Sequence, residues 1–136
     1  ITALPTGLSS PFQGMHVEVG NPQNVAFVSD CEAVMMEEIG PKIETASVFP
    51  DRINVQIATD RHRGRIRLRT WERGSGVTKA CGTGACAVAA AYFEKAPGQD
   101  TVKLDLDGGS LEITQRGNEL WMTGPARCVY AGVISD

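Results

Sequence analysis

The chain lacks the side-chain groupings that would mark a metal centre. Its two histidines, His16 and His62, lie far from each other, and its four cysteines, Cys31, Cys81, Cys86 and Cys128, form no Cys-x-x-Cys pair. Cys81 and Cys86 are poorly spaced for a tetrahedral site, so no structural metal is expected. Four cysteines are also few for a disulfide-stapled secreted domain, and reduced thiols in a cytoplasmic protein are the expected state. No apolar run is long enough to span a bilayer. No charged-then-apolar leader opens the sequence, so secretion is not expected either. An excess of positive charge is missing too. The 13 Lys and Arg residues stand against 16 Asp and Glu, a net charge of -3, which gives no general attraction to nucleic acid or to acidic membranes. The arginine-rich run from Arg61 to Arg69 has no interleaved aromatics. It reads as one solvated strand face carrying Arg65, Arg67 and Arg69, and not as a nucleic-acid patch.

A length of 136 residues with 42% hydrophobic content suits one domain, residues 1–136, with one core. Short strand-like pieces dominate. "MHVEVG", "INVQIAT" and "RIRLRTW" alternate with period two, and "NVAFVS" is a more continuous apolar run. "TVKLDL", "SLEITQ", "ELWMTG" and "RCVYAGVI" repeat the pattern in the last third. Asp107-Gly108-Gly109 and Arg116-Gly117-Asn118 read as hairpin connections, and Gly124-Pro125 as a further turn. Two helices are expected. Asp30 caps "CEAVMMEEIG", which should stop at Gly40-Pro41. The second, "GTGACAVAAAYFEKA", is closed by Pro97-Gly98. It carries no charge before Glu94, so it should be surrounded by protein. The fold class is therefore α+β, a mostly antiparallel sheet or barrel wrapped around a central buried helix.

The chemistry gathers in "WERGSGVTKACGTGACAVAAAYF", Trp71 to Phe93. Cys81 stands where helix periodicity begins, so its sulfur should lie at a helix N-terminus. Unpaired N–H groups and the positive dipole end favour anions there. A thiolate so placed is a usable base or nucleophile. The same N–H groups can hold a carboxylate or an incipient enolate, and Gly82 and Gly84 let the backbone approach a ligand. Glu72 and Arg73, ahead of a flexible Gly74-Ser75-Gly76, could clamp an amino acid through its ammonium and its carboxylate. The plainer alternative is a buried small residue beside a surface ion pair. Cys31, Cys86 and Cys128 keep that structural reading.

"WERGSGVTKACGTGACA" closely resembles the second active-site motif of diaminopimelate epimerases. "VGNPQNVAFV" resembles that family's glycine-asparagine-proline segment, and "FPDRINVQIA" its F-x-x-R-x-N-V segment. Together the three cover Val19 to Phe93. Proline racemases share the Cys-Gly-Thr-Gly turn without this glutamate-arginine-glycine approach. The resemblance implies a cofactor-independent isomerase that inverts one α-carbon of diaminopimelate, for lysine and cell-wall synthesis, between two cysteines on opposite faces. It makes Cys81 one acid/base, with Glu72 beside it as a catalytic residue. It gives Gly82 and Thr83 as donors to the α-carboxylate, and Asn21, Asn54, Glu72 and Arg73 as substrate contacts. Asn21 and Asn54 could equally be turn or strand-end residues. Where this chain has Gln23 the family usually has histidine, thought to help ionise a catalytic thiol. Glutamine can hydrogen-bond but takes no proton at neutral pH, so Gln23 is at most an auxiliary residue. The family has two similar halves with one catalytic cysteine each, and this chain, which begins at Ile1, shows one such motif. It is expected to be the C-terminal half, with the N-terminal half and a second copy of the enzyme as partners, and with no metal, nucleic acid or membrane.

Overall fold

The computed structural model describes Thr2–Ala3 and Gly14–Ser135. Seven of its eight main strands, all but β1, follow the alternating and apolar runs. The eight are β1 (Thr2–Ala3), β2 (Met15–Glu18), β3 (Pro22–Phe27), β4 (Asn54–Asp60), β5 (Arg65–Glu72), β7 (Thr101–Leu106), β8 (Gly109–Arg116) and β9 (Glu119–Thr123). A short β6 (Gly76–Thr78) folds back on β5. All nine belong to one sheet, in the order β1-β2-β3-β4-β5-β7-β8-β9, with β6 beside β5. The β3/β4 and β5/β7 pairs are parallel and the rest antiparallel. Each parallel pair needs a crossover, and each crossover carries a helix: α1 (Met36–Glu44) between β3 and β4, and α2 (Gly82–Lys95) between β5 and β7.

The two helices cover opposite faces. Ile53, just ahead of β4, and Val55 and Ile57 on it join Cys31, Met36 and Ile43 in a core beneath α1. Ala58, with Ile66 and Leu68 of β5, joins Ala85, Val88, Ala89 and Leu104 in a second core around α2. The buried positions of α2 from Ala85 to Ala91 are alanine or valine, with Tyr92 and Phe93 buried in its last turn, and the helix touches β2 and β3 from one end of the sheet and β8 and β9 from the other. The sheet therefore curls around it. The expected α+β class, with a mostly antiparallel sheet wrapped on one buried helix, is what the chain adopts.

Four local expectations are corrected. Asp30 does cap, accepting from Glu32 N at 3.0 Å, but what it caps is a single 3-10 turn, Cys31–Ala33. The helix starts afresh at Met36 and runs through Gly40-Pro41 to Glu44. Gly40 is no stop signal. A Cβ there would collide with the Trp71 ring, so glycine lets the helix lie on that ring, and burial of Ile43 and Glu44 carries it past the proline. Second, "RCVYAGVI" forms no strand among the described residues. Val129, Tyr130, Val133 and Ile134 are each more than four-fifths exposed, and a strand needs a neighbour for its backbone groups. Third, the arginine face is not solvated throughout. Arg65 is exposed, but the Arg67 and Arg69 side chains are only 12% and 17% exposed. Arg67 pairs with Glu32 and Asp107, and Arg69 donates to the Cys31 and Val34 carbonyls. The 31–34 turn covers this face, and its carbonyls need donors. Fourth, Gly74-Ser75-Gly76 is a tight hairpin and not a loose loop: Ser75 N donates to Glu72 O at 3.0 Å.

Candidate functional site

The sequence around Cys81 dictates its geometry. Cys81 keeps extended angles (φ -142°, ψ 108°) and caps α2, its Sγ accepting from Gly84 N at 3.3 Å. The N–H groups of Gly82 and Thr83 lie in the first turn, where a helix has no internal partners for them. The Thr83 hydroxyl stands 3.5 Å from the sulfur. Cys81 is 8% exposed and opens onto a groove of about 1370 Å³ along α2. β2 walls the groove on one side, β9 and its hairpin on the other, and Glu72, Gly82, Thr83 and Cys86 line it with Cys81.

The remaining candidate residues divide. Glu72 ends β5 and reaches the groove, its Oε1 accepting from Thr78 Oγ1 at 2.6 Å. Arg73 does not reach it. Its guanidinium donates to the Asp51 carbonyl at 2.9 Å, and its backbone N–H donates to Asn54 Oδ1 at 2.8 Å. Asn54 also donates to the Pro22 carbonyl, so it ties the β3 entry to the 72–74 turn. Asn21 accepts from Gln23 Nε2 at 2.9 Å. Gln23 is fully buried and lies behind the groove, its Nε2 also 3.3 Å from Thr83 Oγ1.

Gln56, Thr70 and Glu44, which sequence reasoning passed over, support this arrangement. Gln56 is fully buried; its Nε2 donates to Gln23 Oε1 at 3.0 Å, and its Oε1 accepts from Thr70 Oγ1 at 2.7 Å. The signal was present in "INVQIAT". A glutamine out of phase with Ile53, Val55 and Ile57 faces solvent only if the sheet's other side is bare, and here α2 covers it. Glu44, at the end of α1, is 5% exposed. Its carboxylate accepts from Trp71 Nε1 at 2.7 Å, from Gly74 N at 3.1 Å and from Arg52 at 3.3 Å. The Trp71 hydrogen bond, with those from Gly74 and Arg52, holds this carboxyl below the usual range. It thereby fixes both ends of the Glu72-Arg73 segment. Burial pushes the Cys86 thiol up, and charge on Cys81 adds to the effect. Among the described residues, no group of His, Cys, Asp or Glu is arranged to hold a metal ion, and no helix is long and apolar enough to cross a membrane.

Residues 15–129 match the family model for diaminopimelate epimerase. The chain belongs to the diaminopimelate epimerase family. A diaminopimelate epimerase of Rhizorhabdus wittichii is 45% identical over 129 residues, covering 94% of this chain and 47% of the relative. That of Bacteroides thetaiotaomicron is 42% identical over 132 residues, covering 96% and 49%. The chain thus spans about half the length of the curated diaminopimelate epimerases it matches. Among solved structures, a phenazine biosynthesis protein of the PhzF family from Enterococcus faecalis superposes with a TM-score of 0.56 at 17% identity, covering 76% of this chain and 38% of that one. This second likeness shows that the diaminopimelate epimerase fold seen here, a sheet curled on one helix, also occurs in that protein.

Proposed function

We propose that this chain is one half, the C-terminal one, of a diaminopimelate epimerase that interconverts the LL and meso forms without a cofactor. Cys81 serves as acid/base on one face of the α-carbon. Gly82 and Thr83 present first-turn N–H groups to the α-carboxylate, where charge builds as the α-proton leaves. Glu72 meets the substrate ammonium across the groove. Inversion requires a second acid/base on the opposite face, since one shared base would tend to return the proton to its origin. That group belongs to the other half. The whole enzyme then works as a dimer in the cytoplasm, where its thiols stay reduced.

What carries this reading is one juxtaposition: the Cys81 sulfur at the N-cap of α2, facing the same groove as Glu72. Arg73 and Asn54 enter the proposal differently from the expectation. They shape the turn that holds Glu72, because Arg73's guanidinium is turned to Asp51. Gln23 favours a second reading, an isomerase of the same kind acting on another amino acid. Turnover of LL-diaminopimelate by the full-length gene product separates the two. For the half-site itself, the chain is incubated with LL-diaminopimelate in deuterium oxide. No meso product is expected, and α-deuteration without inversion fits a lone base. Robust meso product from this chain alone would overturn the half-site assignment.

A further inference from the structure

A row of buried polar side chains crosses three strands and ends at Cys81. Gln56 and Thr70 are direct partners in the antiparallel β4/β5 pair. Gln23 lies diagonally across the parallel β3/β4 pair, in which it faces Asn54. All three are at most 2% exposed, so each must find its hydrogen bonds within the protein. The row runs with one polarity from its far end. Thr70 gives its single hydroxyl proton to Gln56 Oε1. That turns Gln56 Nε2 towards Gln23 Oε1, and so turns Gln23 Nε2 towards Asn21 Oδ1 and Thr83 Oγ1. A hydroxyl that accepts on one side still has its own proton to give. For Thr83 the sulfur of Cys81, 3.5 Å away, is on the other side.

We infer that Gln56 and Thr70 are positioning residues which, through Gln23, aim the Thr83 hydroxyl proton at Cys81 and so favour its thiolate. The inference deepens the reading of Cys81 as an acid/base, but it is read out on the thiol and not on turnover, so either can fail without the other. No member of the row changes protonation state at neutral pH. The aid to the thiolate is therefore constant over the pH range in which a histidine at position 23 would titrate.

Gln56→Glu reverses the row. A carboxylate has no N–H to give, so Gln23 must turn its amide nitrogen to position 56 and its oxygen to Thr83, which then donates to Gln23 and no longer to sulfur. The test is iodoacetamide alkylation of the whole 136-residue chain across pH, with Cys81 resolved by mass spectrometry and the exposed Cys128 as internal reference. Gln56→Glu and Thr83→Val are each expected to slow Cys81 at pH 7 by about 2- to 13-fold, the range of one hydrogen bond of about 0.5–1.5 kcal/mol. Each should also move the rate-against-pH curve to higher pH, while Thr83→Ser stays near the parent. In the double variant the two losses should not add, because both remove the same donor. If they add, Gln56→Glu acts by its charge alone and the inference falls. It falls also if Thr83→Val leaves the curve in place. Should Gln56→Glu fail to fold, as judged by circular dichroism, the comparison of Thr83→Val with Thr83→Ser and with Thr70→Val decides, and equal curves in all three would overturn the inference.

Discussion

At the scale of single residues, Glu44 is the clearest case of a side chain that serves the site without entering it. It is a buried carboxylate that receives an indole N–H, a backbone N–H and a guanidinium, so losing its charge loosens three attachments at once. Glu44→Gln is expected to cost about 1–3 kcal/mol, since it leaves buried donors facing an amide. Chemical denaturation at pH 7 checks this. The pH dependence follows from the lowered carboxyl. A group whose folded value lies below its ordinary 4.5 adds stability that is fully present above 4.5 and disappears as pH falls through the folded value. Stability should therefore decline below about pH 5, and the decline should be shallower in Glu44→Gln. Equal slopes in the two proteins would show that Glu44 is not linked to folding. Nothing in "KIETAS" announces this role. A glutamate at a helix end reads as solvated until the fold shows Trp71 and Gly74 meeting above it.

At the scale of elements, glycine decides how closely each helix approaches the sheet. Alanine is ordinarily the better helix residue by about 1 kcal/mol, yet Gly40→Ala and Gly84→Ala should both destabilise. A Cβ at Gly40 meets the Trp71 ring, and one at Gly84 meets the Gln56 amide. Overpacking of this kind costs about 1–3 kcal/mol, enough to reverse the propensity gain. Thermal melts of the two variants test it, and a raised melting temperature in either would show that the helix can shift outward freely. The same glycines explain what the sequence made legible. α2 was readable end to end, because an Ala-rich run between Cys81 and Pro97 has one interpretation. α1 was misplaced, because Gly40-Pro41 carries the local signature of a stop while its actual partner, Trp71, lies thirty-one residues on. The strands with turn signals on both sides were found. The last apolar run was read as a strand because alternation reports what a segment can do, and says nothing of whether an edge is at hand to receive it. Of the candidate site, the placing of Cys81 before a helix and the pairing of Glu72 with Arg73 come from the residues themselves, while Gly82 and Thr83 as carboxylate donors come from the family resemblance. Arg73 was expected with them, but a guanidinium's direction depends on Asp51, which no pattern in the chain connects to it.

At the scale of the molecule, apolar side chains are left outside both cores. Trp121 and Met122 are half exposed on β9, and Val129, Tyr130, Val133 and Ile134 are almost wholly exposed beyond it. Truncation after Pro125 should therefore shift the melting temperature by no more than about 2–3 °C, as expected when about half a kcal/mol is at stake. It should also lower the concentration-dependent self-association of the chain in sedimentation experiments. A larger fall in melting temperature would show that the tail packs against the domain. The polar row across β3, β4 and β5 bears on the whole sheet as well. Strand register is loose where one hydrophobic residue can replace another two places along, and strict where an odd side chain has one berth. Sliding β4 by two residues would bring Asn54 or Ala58 opposite Thr70 and leave two amides unmatched among alanines and leucines. The side chains that orient a proton at one helix end thus also act as the sheet's alignment marks. A lineage that altered one of Gln23, Gln56 or Thr70 would unsettle fold and chemistry together, so these three positions are expected to change as a set or not at all.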